Sequence, residues 1–332
     1  MFKIACYGVR ENEVEFFNKL NKYDYDLTLY SEYLNHENVA TAEGHDAVLL
    51  RGNCIADAQN LAKFEEYGIQ YVFTRTVGFN HIDVEEAKRL GMKVARVPGY
   101  SPNAIAELSL TLGMTLLRNV QYTAHNTSIN QDFRVTPRMF SREVRNCTVG
   151  IIGTGRIGLT EAKLFKGLGA KVLGYDVFQS EAAKEVVEFV ELDDLLAQSD
   201  VVSLHVPLIK GENEGMINRE FISKMKDDAI LINTARGELQ DNQAIIDAIK
   251  NNKLYGFAAD VLPGESDVFF KKFDQANPVP RQDVLDLMDL YPRVLLTPHV
   301  GSNTDEALTN MIEISYDNFN DVLTTGNSEN EL

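Results

Sequence analysis

The sequence predicts an α/β protein built on two parallel sheets. Short, nearly continuous apolar runs alternate with helical patterns along both halves of the 332 residues, and such alternation builds βαβ units and parallel sheets. A glycine-rich turn, "IIGTGRIG", closes one apolar run and opens a helical pattern at residues 151–158. Near residue 100 the alternation gives way to an extended helical stretch, "GYSPNAIAELSLTLGMTLLRNV". A chain of this length accommodates two domains of ordinary size.

Taken in order, "FKIACYG", "YDLTLYS", "DAVLL", "IQYVFT" and "MKVARVP" read as strands, separated by helical patterns such as "DAQNLAKFEEYG" and "DVEEAKRLG". They have the makings of a complete small α/β domain. Ser101 is placed to cap the next helix, and Pro102 takes its first position, where a missing N–H costs nothing. This stretch is the longest helical candidate and suits a bridge between domains. After a less regular stretch around 125–145, "TVGIIG", "AKVLGYD", "VVSLHVP", "AILINT", "YGFAADVL" and "VLLTPH" resume the alternation. Six such runs suggest a doubly wound sheet. "PGESDVFFKKFDQANPVPRQD" is the one long irregular insertion, and insertions of that length are often functional. The last dozen residues, ending "TTGNSENEL", are expected to fray.

Composition narrows the class. Hydrophobic residues at 44% and charged residues at 24% fit a globular chain with ample core. No apolar run is long enough to cross a membrane as a helix, and "MFKIACYGVRENEVEFF" lacks the regions of a signal peptide. The net charge of −17 is spread along the chain, so a polyanion such as nucleic acid would be repelled. Cys6, Cys54 and Cys147 are scattered without a CxxC pair, and Cys6 and Cys147, in or beside apolar runs, are expected to be reduced packing residues in a cytoplasm. Zinc or another metal is not indicated.

Gly153, Gly155 and Gly158 have the GxGxxG spacing. The glycines serve a tight turn, close approach of backbone to a pyrophosphate, and close packing of helix on strand. The helix N-terminus then offers free N–H groups and a positive dipole to the phosphates. Alone, the pattern also fits an ordinary glycine turn. Here Asp176 answers it at the end of "KVLGYD", near the separation expected of a ribose 2′-hydroxyl acceptor. A carboxylate there repels a 2′-phosphate, so NAD is favoured over NADP.

"INTARGE", "AADVLPGE" and "LTPHVG" end three further predicted strands, where open α/β sheets place their ligands. With "GTGRIG", they closely resemble the signature segments of the NAD-dependent D-2-hydroxyacid dehydrogenases, in the right order and over most of the chain. The resemblance implies two Rossmann-like or flavodoxin-like domains, the nucleotide domain (101–298) inserted into a substrate domain (1–100 and 299–332). That insertion would explain why the fingerprint comes so late. It also implies a cytoplasmic homodimer, formed through the helix near 101–120 and its following arm.

Carried over residue by residue, the family's arginine falls on Arg236, its glutamate on Glu265 and its histidine on His299. Arg236 suits a forked, charge-assisted grip on a 2-oxo acid. His299 suits proton transfer to the carbonyl oxygen, with Glu265 orienting the ring. The other histidines lack such a context; His205 is read as structural or beside the cofactor. Arg156 and Ile157 would line the pyrophosphate, and Val206 and Pro207 the adenosine side. Thr234, Ala235 and Asp260 would lie near the nicotinamide ribose and carboxamide, with Asn213 a further match. The N–H groups of Val77 and Gly78 in "RTVGFNHID" would bind the substrate carboxylate, and Tyr100 resembles the family's aromatic residue at the cleft. Gln240 departs from the family, which usually has an aliphatic residue there; the change should affect local packing only.

Arg51 directly follows the strand "DAVLL" and so is expected at the carboxyl end of its sheet, where it could pair with a second, distal carboxylate. "LRGNC", "MFSREVRNCTVG" and "DLYPRVLLTPH" also most resemble the D-2-hydroxyglutarate branch. Reduction of 2-oxoglutarate is therefore favoured over D-lactate formation or a bulkier 2-hydroxy acid. Arg51 as a solvated surface cation is the alternative. Two other classes compete: C-terminal-binding corepressors share the architecture and sense NAD, and nucleotide-dependent methyltransferases share the glycine turn. The second leaves "TARG", "PGE" and "TPHVG" without a role.

Overall fold

The first sheet holds five parallel strands, β1 (Lys3–Cys6), β2 (Asp26–Leu29), β3 (Ala47–Leu50), β4 (Tyr71–Thr74) and β5 (Lys93–Ala95), in the order β2-β1-β3-β4-β5. That is the flavodoxin-like order, and its direction of winding reverses between β1 and β3. Alternate residues of each strand enter opposite cores. Ala5, Val48, Leu50 and Val72 pack with Leu61 and Phe64 of the helix Ala58–Glu66. Ile4, Cys6, Leu49 and Phe73 pack with Leu308, Ile312, Tyr316 and Phe319 of the helix Asp305–Thr325. Both faces are thus covered, which is why β3 is buried throughout.

The helix Asp305–Thr325, at 21 residues, is the longest in the chain, not the 16-residue helix Pro102–Leu117. Its buried face, Leu308, Met311, Ile312, Tyr316, Phe319 and Val322, is broken by Ser315 and Asn318, so hydrophobicity alone understates it; burial against the sheet selects it. The C-terminus does not fray either. Leu332 N–H donates to Val94 O (2.9 Å), Arg96 N–H donates to Asn330 O (3.1 Å), and Lys93 pairs with Glu331 (2.8 Å). Asn318 Oδ1 accepts from Ser328 Oγ and Asn330 Nδ2 at 2.8 Å each, fixing the turn that sends the tail back. The tail thereby covers the open edge of β5.

The second sheet contains β6 (Thr148–Ile152), β7 (Lys171–Tyr175), β8 (Glu188–Phe189), β9 (Val201–Leu204), β10 (Ala229–Asn233), β11 (Leu254–Ala259) and β12 (Val294–Leu296). Its order, β12-β11-β10-β9-β6-β7-β8, is the doubly wound dinucleotide-binding order with one strand added beyond the sixth. One strand more is present than the six apolar runs suggested. The extra is β8, whose two residues pair at the edge with β7 and are too few to show a pattern. The helix Pro102–Leu117 packs on this sheet, so closely that a Cβ at Gly113 would sit 2.8 Å from Ile232. It ends where Asn119 turns left-handed (φ 53°), and a second helix, Val120–Ser128, follows.

This computed structural model describes residues 1–332, which fall into two units: Met1–Ser101 with Asn303–Leu332, and Pro102–Ser302. Val300 and Gly301 donate N–H bonds to Asp260 at the end of β11 (2.9 and 2.8 Å). Those bonds carry the second unit four residues past the expected boundary, and His299 belongs to it. No helix is long and apolar enough to cross a membrane.

Candidate active site

The dinucleotide site is built where the second sheet reverses, between β6 and β9. Gly153 has φ +92°, and a Cβ there would lie 2.8 Å from the His205 carbonyl carbon. At Gly158 a Cβ would meet Gly153 O at 1.9 Å. Around Gly155, in contrast, nothing lies within 4 Å of the missing Cβ. Two glycines are thus forced by packing, and the middle one leaves open space at the start of the helix Arg156–Gly167, a cradle that fits a pyrophosphate. Arg156 is exposed and Ile157 half-buried at that N-terminus.

Asp176 closes the cradle from β7. Its Oδ2 accepts from Thr154 N–H (2.6 Å) and Thr154 Oγ1 (3.2 Å), and its Oδ1 accepts from Phe178 N–H (3.0 Å). The carboxylate therefore fixes the glycine loop. After β9, Val206 and Pro207 begin a loop ordered by Asn213, whose amide donates to Pro207 O and accepts from Ile209 N–H, both at 2.8 Å. Asn213 is placed as a loop organiser. His205 is fully buried, its Nε2 2.5 Å from the equally buried Glu161 Oε2. His205 is thus structural, beneath the cradle, while its partner Glu161 left no signal in the sequence.

Three adjacent strands, β10, β11 and β12, carry the remaining residues at their carboxyl ends. Thr234 and Ala235 follow β10, with the Thr234 hydroxyl 2.6 Å from Ser109 Oγ. Next comes Arg236, whose guanidinium donates a hydrogen bond only to the Ala235 carbonyl (2.7 Å) and forms no ion pair. Asp260 directly follows β11 and is only 2% exposed. Burial raises the carboxyl pKa, while bonds from Thr297 Oγ1 and the Val300 and Gly301 N–H groups work the other way. Its two oxygens are committed to the β12 loop, and its own carbonyl accepts the His299 N–H at 3.0 Å.

His299 itself is held in the left-handed region, φ +53°. A non-glycine residue there stores strain of order 1 kcal/mol or more, a feature that clusters at functional sites. Its Nδ1 lies 2.6 Å from Glu265 Oε1, while its Nε2 makes no hydrogen bond. One ring nitrogen is anchored and the other is uncommitted, which is the arrangement proton transfer needs.

In the first unit, Arg51 leaves β3 at the point where the sheet reverses. It is not a solvated cation: its side chain is only 14% exposed and its Nη1 lies 3.1 Å from Glu13 Oε1. Glu13 Oε2 receives Arg75 Nη2 at 2.8 Å, and Arg75 is fully buried. Burial opposes ionisation of Glu13, but the Arg75 and Arg51 guanidiniums outweigh it and hold the carboxyl below its ordinary value. Burial and then Arg75 push Arg51 down to about 10. Two guanidiniums share one carboxylate, so the cluster keeps an excess positive charge. Arg51 Nε and Nη2 make no hydrogen bond. Neither Glu13 nor Arg75 was singled out in the sequence.

Val77 and Gly78 follow β4. Their carbonyls accept from Arg96 Nη1 (3.0 Å) and Thr76 Oγ1 (2.7 Å), but their N–H groups donate to nothing in the chain. The Tyr100 carbonyl accepts from Asn310 Nδ2. No group of three His, Cys, Asp or Glu side chains is disposed to hold a metal ion.

Such chemistry defines a dinucleotide-dependent oxidoreductase of small carboxylic acids. Residues 110–301 match the family model described as D-isomer specific 2-hydroxyacid dehydrogenase, NAD binding domain. The chain is 39% identical, over 338 aligned positions and 99% of each protein, to a D-lactate dehydrogenase of Lactiplantibacillus plantarum. It is 37% identical over 331 positions to an aromatic 2-oxoacid reductase of Clostridium sporogenes, covering 99% and 98% of the two. The NAD-complexed structure of a D-isomer specific 2-hydroxyacid dehydrogenase from Lactobacillus delbrueckii ssp. bulgaricus superposes with a TM-score of 0.88 at 33% identity, over 99% of this chain and 100% of that one. The chain belongs to the D-isomer specific 2-hydroxyacid dehydrogenase family and is an NAD-dependent oxidoreductase. The corepressor and methyltransferase readings are set aside.

Proposed function

We propose that the enzyme interconverts 2-oxoglutarate and D-2-hydroxyglutarate, and that Arg236, Glu265 and His299 are its catalytic residues. When bound, NADH supplies the hydride that reduces C2. The chain's own groups do the rest: Val77 and Gly78 N–H receive the C1 carboxylate, and Arg236 grips the 2-oxo acid and polarises its carbonyl. His299 Nε2 gives its proton to the carbonyl oxygen, Glu265 holds Nδ1, and the reverse reaction returns the proton to Nε2.

The observation that carries the substrate choice is the sharing of Glu13 by Arg51 and Arg75. Its surplus positive charge stands at the winding reversal of the first sheet, where open α/β sheets bind ligands. Arg51 follows β3 and Val77 follows the neighbouring β4, with Leu50 paired to Thr74. One short diacid can therefore meet both. A charge-assisted contact of about 1.5–3 kcal/mol is worth roughly ten- to 150-fold in affinity. Reduction of pyruvate or a bulkier 2-oxo acid is the second reading, favoured by the names of the two relatives.

Initial rates of NADH oxidation with 2-oxoglutarate, pyruvate and phenylpyruvate, in wild type and Arg51→Ala, test this. The expected outcome is a ten- to 150-fold loss in kcat/KM on 2-oxoglutarate and a loss under threefold on the monoacids. Equal losses on all three refute selective pairing. We further propose a homodimer, supported by the exposed apolar side chains Ile129, Phe133, Val135 and Phe140 along the arm after Ser128; light scattering at the monomer mass would refute it.

A further inference from the structure

Gln240 was expected to matter only for packing. It is 4% exposed, and every polar atom of its amide is used. Its Oε1 accepts from Asn233 Nδ2 at 2.7 Å, and Asn233 Nδ2 also donates to Arg236 O at 2.9 Å. Its Nε2 donates to Asn242 Oδ1 at 2.8 Å, and Asn242 Nδ2 donates to Asp283 Oδ2 at 2.7 Å. Asp283 holds Arg281 (Nε to Oδ1, 3.1 Å), and Arg281 Nη1 donates to the Pro263 and Gly264 carbonyls. The next residue is Glu265.

This chain of side chains therefore begins at the backbone of Arg236 and ends at the backbone beside Glu265. A second contact joins the same two loops. A Cβ on Gly237 would lie 2.0 Å from the Leu262 carbonyl carbon, so the backbones already touch. The direct contact sets how close the loops can come. The polar chain opposes their separation and sliding, because breaking a link at Asn233, Gln240 or Asn242 leaves a buried amide without a partner.

We infer that Gln240 is a positioning residue for the reaction: through Asn233, Asn242, Asp283 and Arg281 it ties the loop bearing Arg236 to the loop bearing Glu265. The inference rests on the catalytic roles proposed above. Proton transfer and carbonyl polarisation demand placement to a fraction of an ångström, whereas binding of the coenzyme phosphates at the glycine cradle after β6 does not. Loss of the tie should therefore appear in kcat more than in coenzyme affinity.

The test compares Gln240→Met, Asp283→Ala and the double variant in the full-length enzyme. NADH fluorescence titration, a steady-state kcat and KM with the preferred 2-oxo acid, and a melting curve are measured for each. The expected result is a fall of about tenfold in kcat for each single variant, at a temperature where the protein is fully folded, with NADH Kd within twofold of wild type. Because both lesions cut one tie, the double variant should lose no more than the worse single one. A lower Tm with kcat within twofold of wild type would overturn the inference, as would losses that multiply in the double variant. If one single variant is insoluble, the other cuts the same tie and decides alone. His299→Gln, run in parallel, separates the two layers: if it keeps full activity, the catalytic reading fails; if it is inactive while Gln240→Met is unimpaired, only the tie fails.

Discussion

Replacing Glu265 measures how much the anchored nitrogen of His299 contributes. The carboxylate oxygen lies 2.6 Å from Nδ1, and its other oxygen is 3.5 Å from Leu262 N–H, so the histidine contact dominates. A hydrogen bond to a charged group contributes about 1.5–3 kcal/mol. Here the side chains are 41% and 21% exposed, which places the contact toward the lower end, about 1.5–2 kcal/mol. At about 1.4 kcal/mol per factor of ten, Glu265→Ala should lower kcat/KM about ten- to thirtyfold. Glu265→Gln keeps a neutral acceptor and should lose only about fivefold. His299→Gln removes the proposed proton donor itself and should lose about 10²- to 10⁴-fold. The assay is the initial rate of NADH oxidation with a saturable 2-oxo acid, and NADH affinity is checked by fluorescence. A Glu265→Ala enzyme within twofold of wild type, or a loss equal to that of His299→Gln, would refute the reasoning.

Other perturbations reach different layers. Asp176→Ala removes the acceptor for Thr154 and Phe178 N–H groups, so NADH binding should weaken about tenfold while NADPH binding weakens less; parallel losses in a fluorescence titration would exclude discrimination at the 2′ position. Glu13→Gln strands two guanidiniums, one fully buried, and should cost about 3–5 kcal/mol in a urea melt at neutral pH. The same pair predicts a pH dependence. The folded pKa of Glu13 is depressed, so its stabilisation is present above the ordinary glutamate value and is lost as pH falls through the folded one. Urea midpoints of wild type should therefore fall more steeply with acid than those of Glu13→Gln; parallel curves would contradict the depressed value. Gly237→Ala drives a Cβ into the Leu262 carbonyl, and the loops must part to admit it; kcat should drop at least tenfold below the melting temperature, and an unchanged kcat would show that their spacing is not critical.

What could be read from the sequence was whatever chemistry is written in neighbouring positions. The fingerprint glycines, Asp176 and the strand ends bearing Arg236, Asp260 and His299 all sit a few residues from an apolar run. A parallel strand hands its last residues to the same edge of the sheet, so the order of runs foretells where those residues go. β8 escaped because two residues make no periodicity. The helix Asp305–Thr325 and the C-terminal tail were misjudged for a shared reason. Both are polar in sequence, and both are stabilised by partners more than two hundred positions away, the helix on β1 and β4 and the tail on β5.

Illegible in the sequence were the groups whose meaning depends on a distant partner. Glu13 meets Arg51 and Arg75 across 38 and 62 positions, and Gln240 reaches Asp283 only through Asn242. Those same groups decide what the legible ones can do. Alone, Arg51 is one cation after a strand; with one carboxylate divided between two arginines, the cluster keeps the excess positive charge on which the proposed diacid reading rests. Alone, Arg236 and Glu265 are two side chains on two loops; a run of side chains from Asn233 through Gln240, Asn242 and Asp283 to Arg281 connects those loops. Reaction class thus follows from local motifs at strand ends, while the proposed selectivity and precision rest on polar contacts between segments remote in sequence. Losses from Arg51→Ala should accordingly depend on the acid offered, and those from Gln240→Met should fall on kcat whichever acid is used.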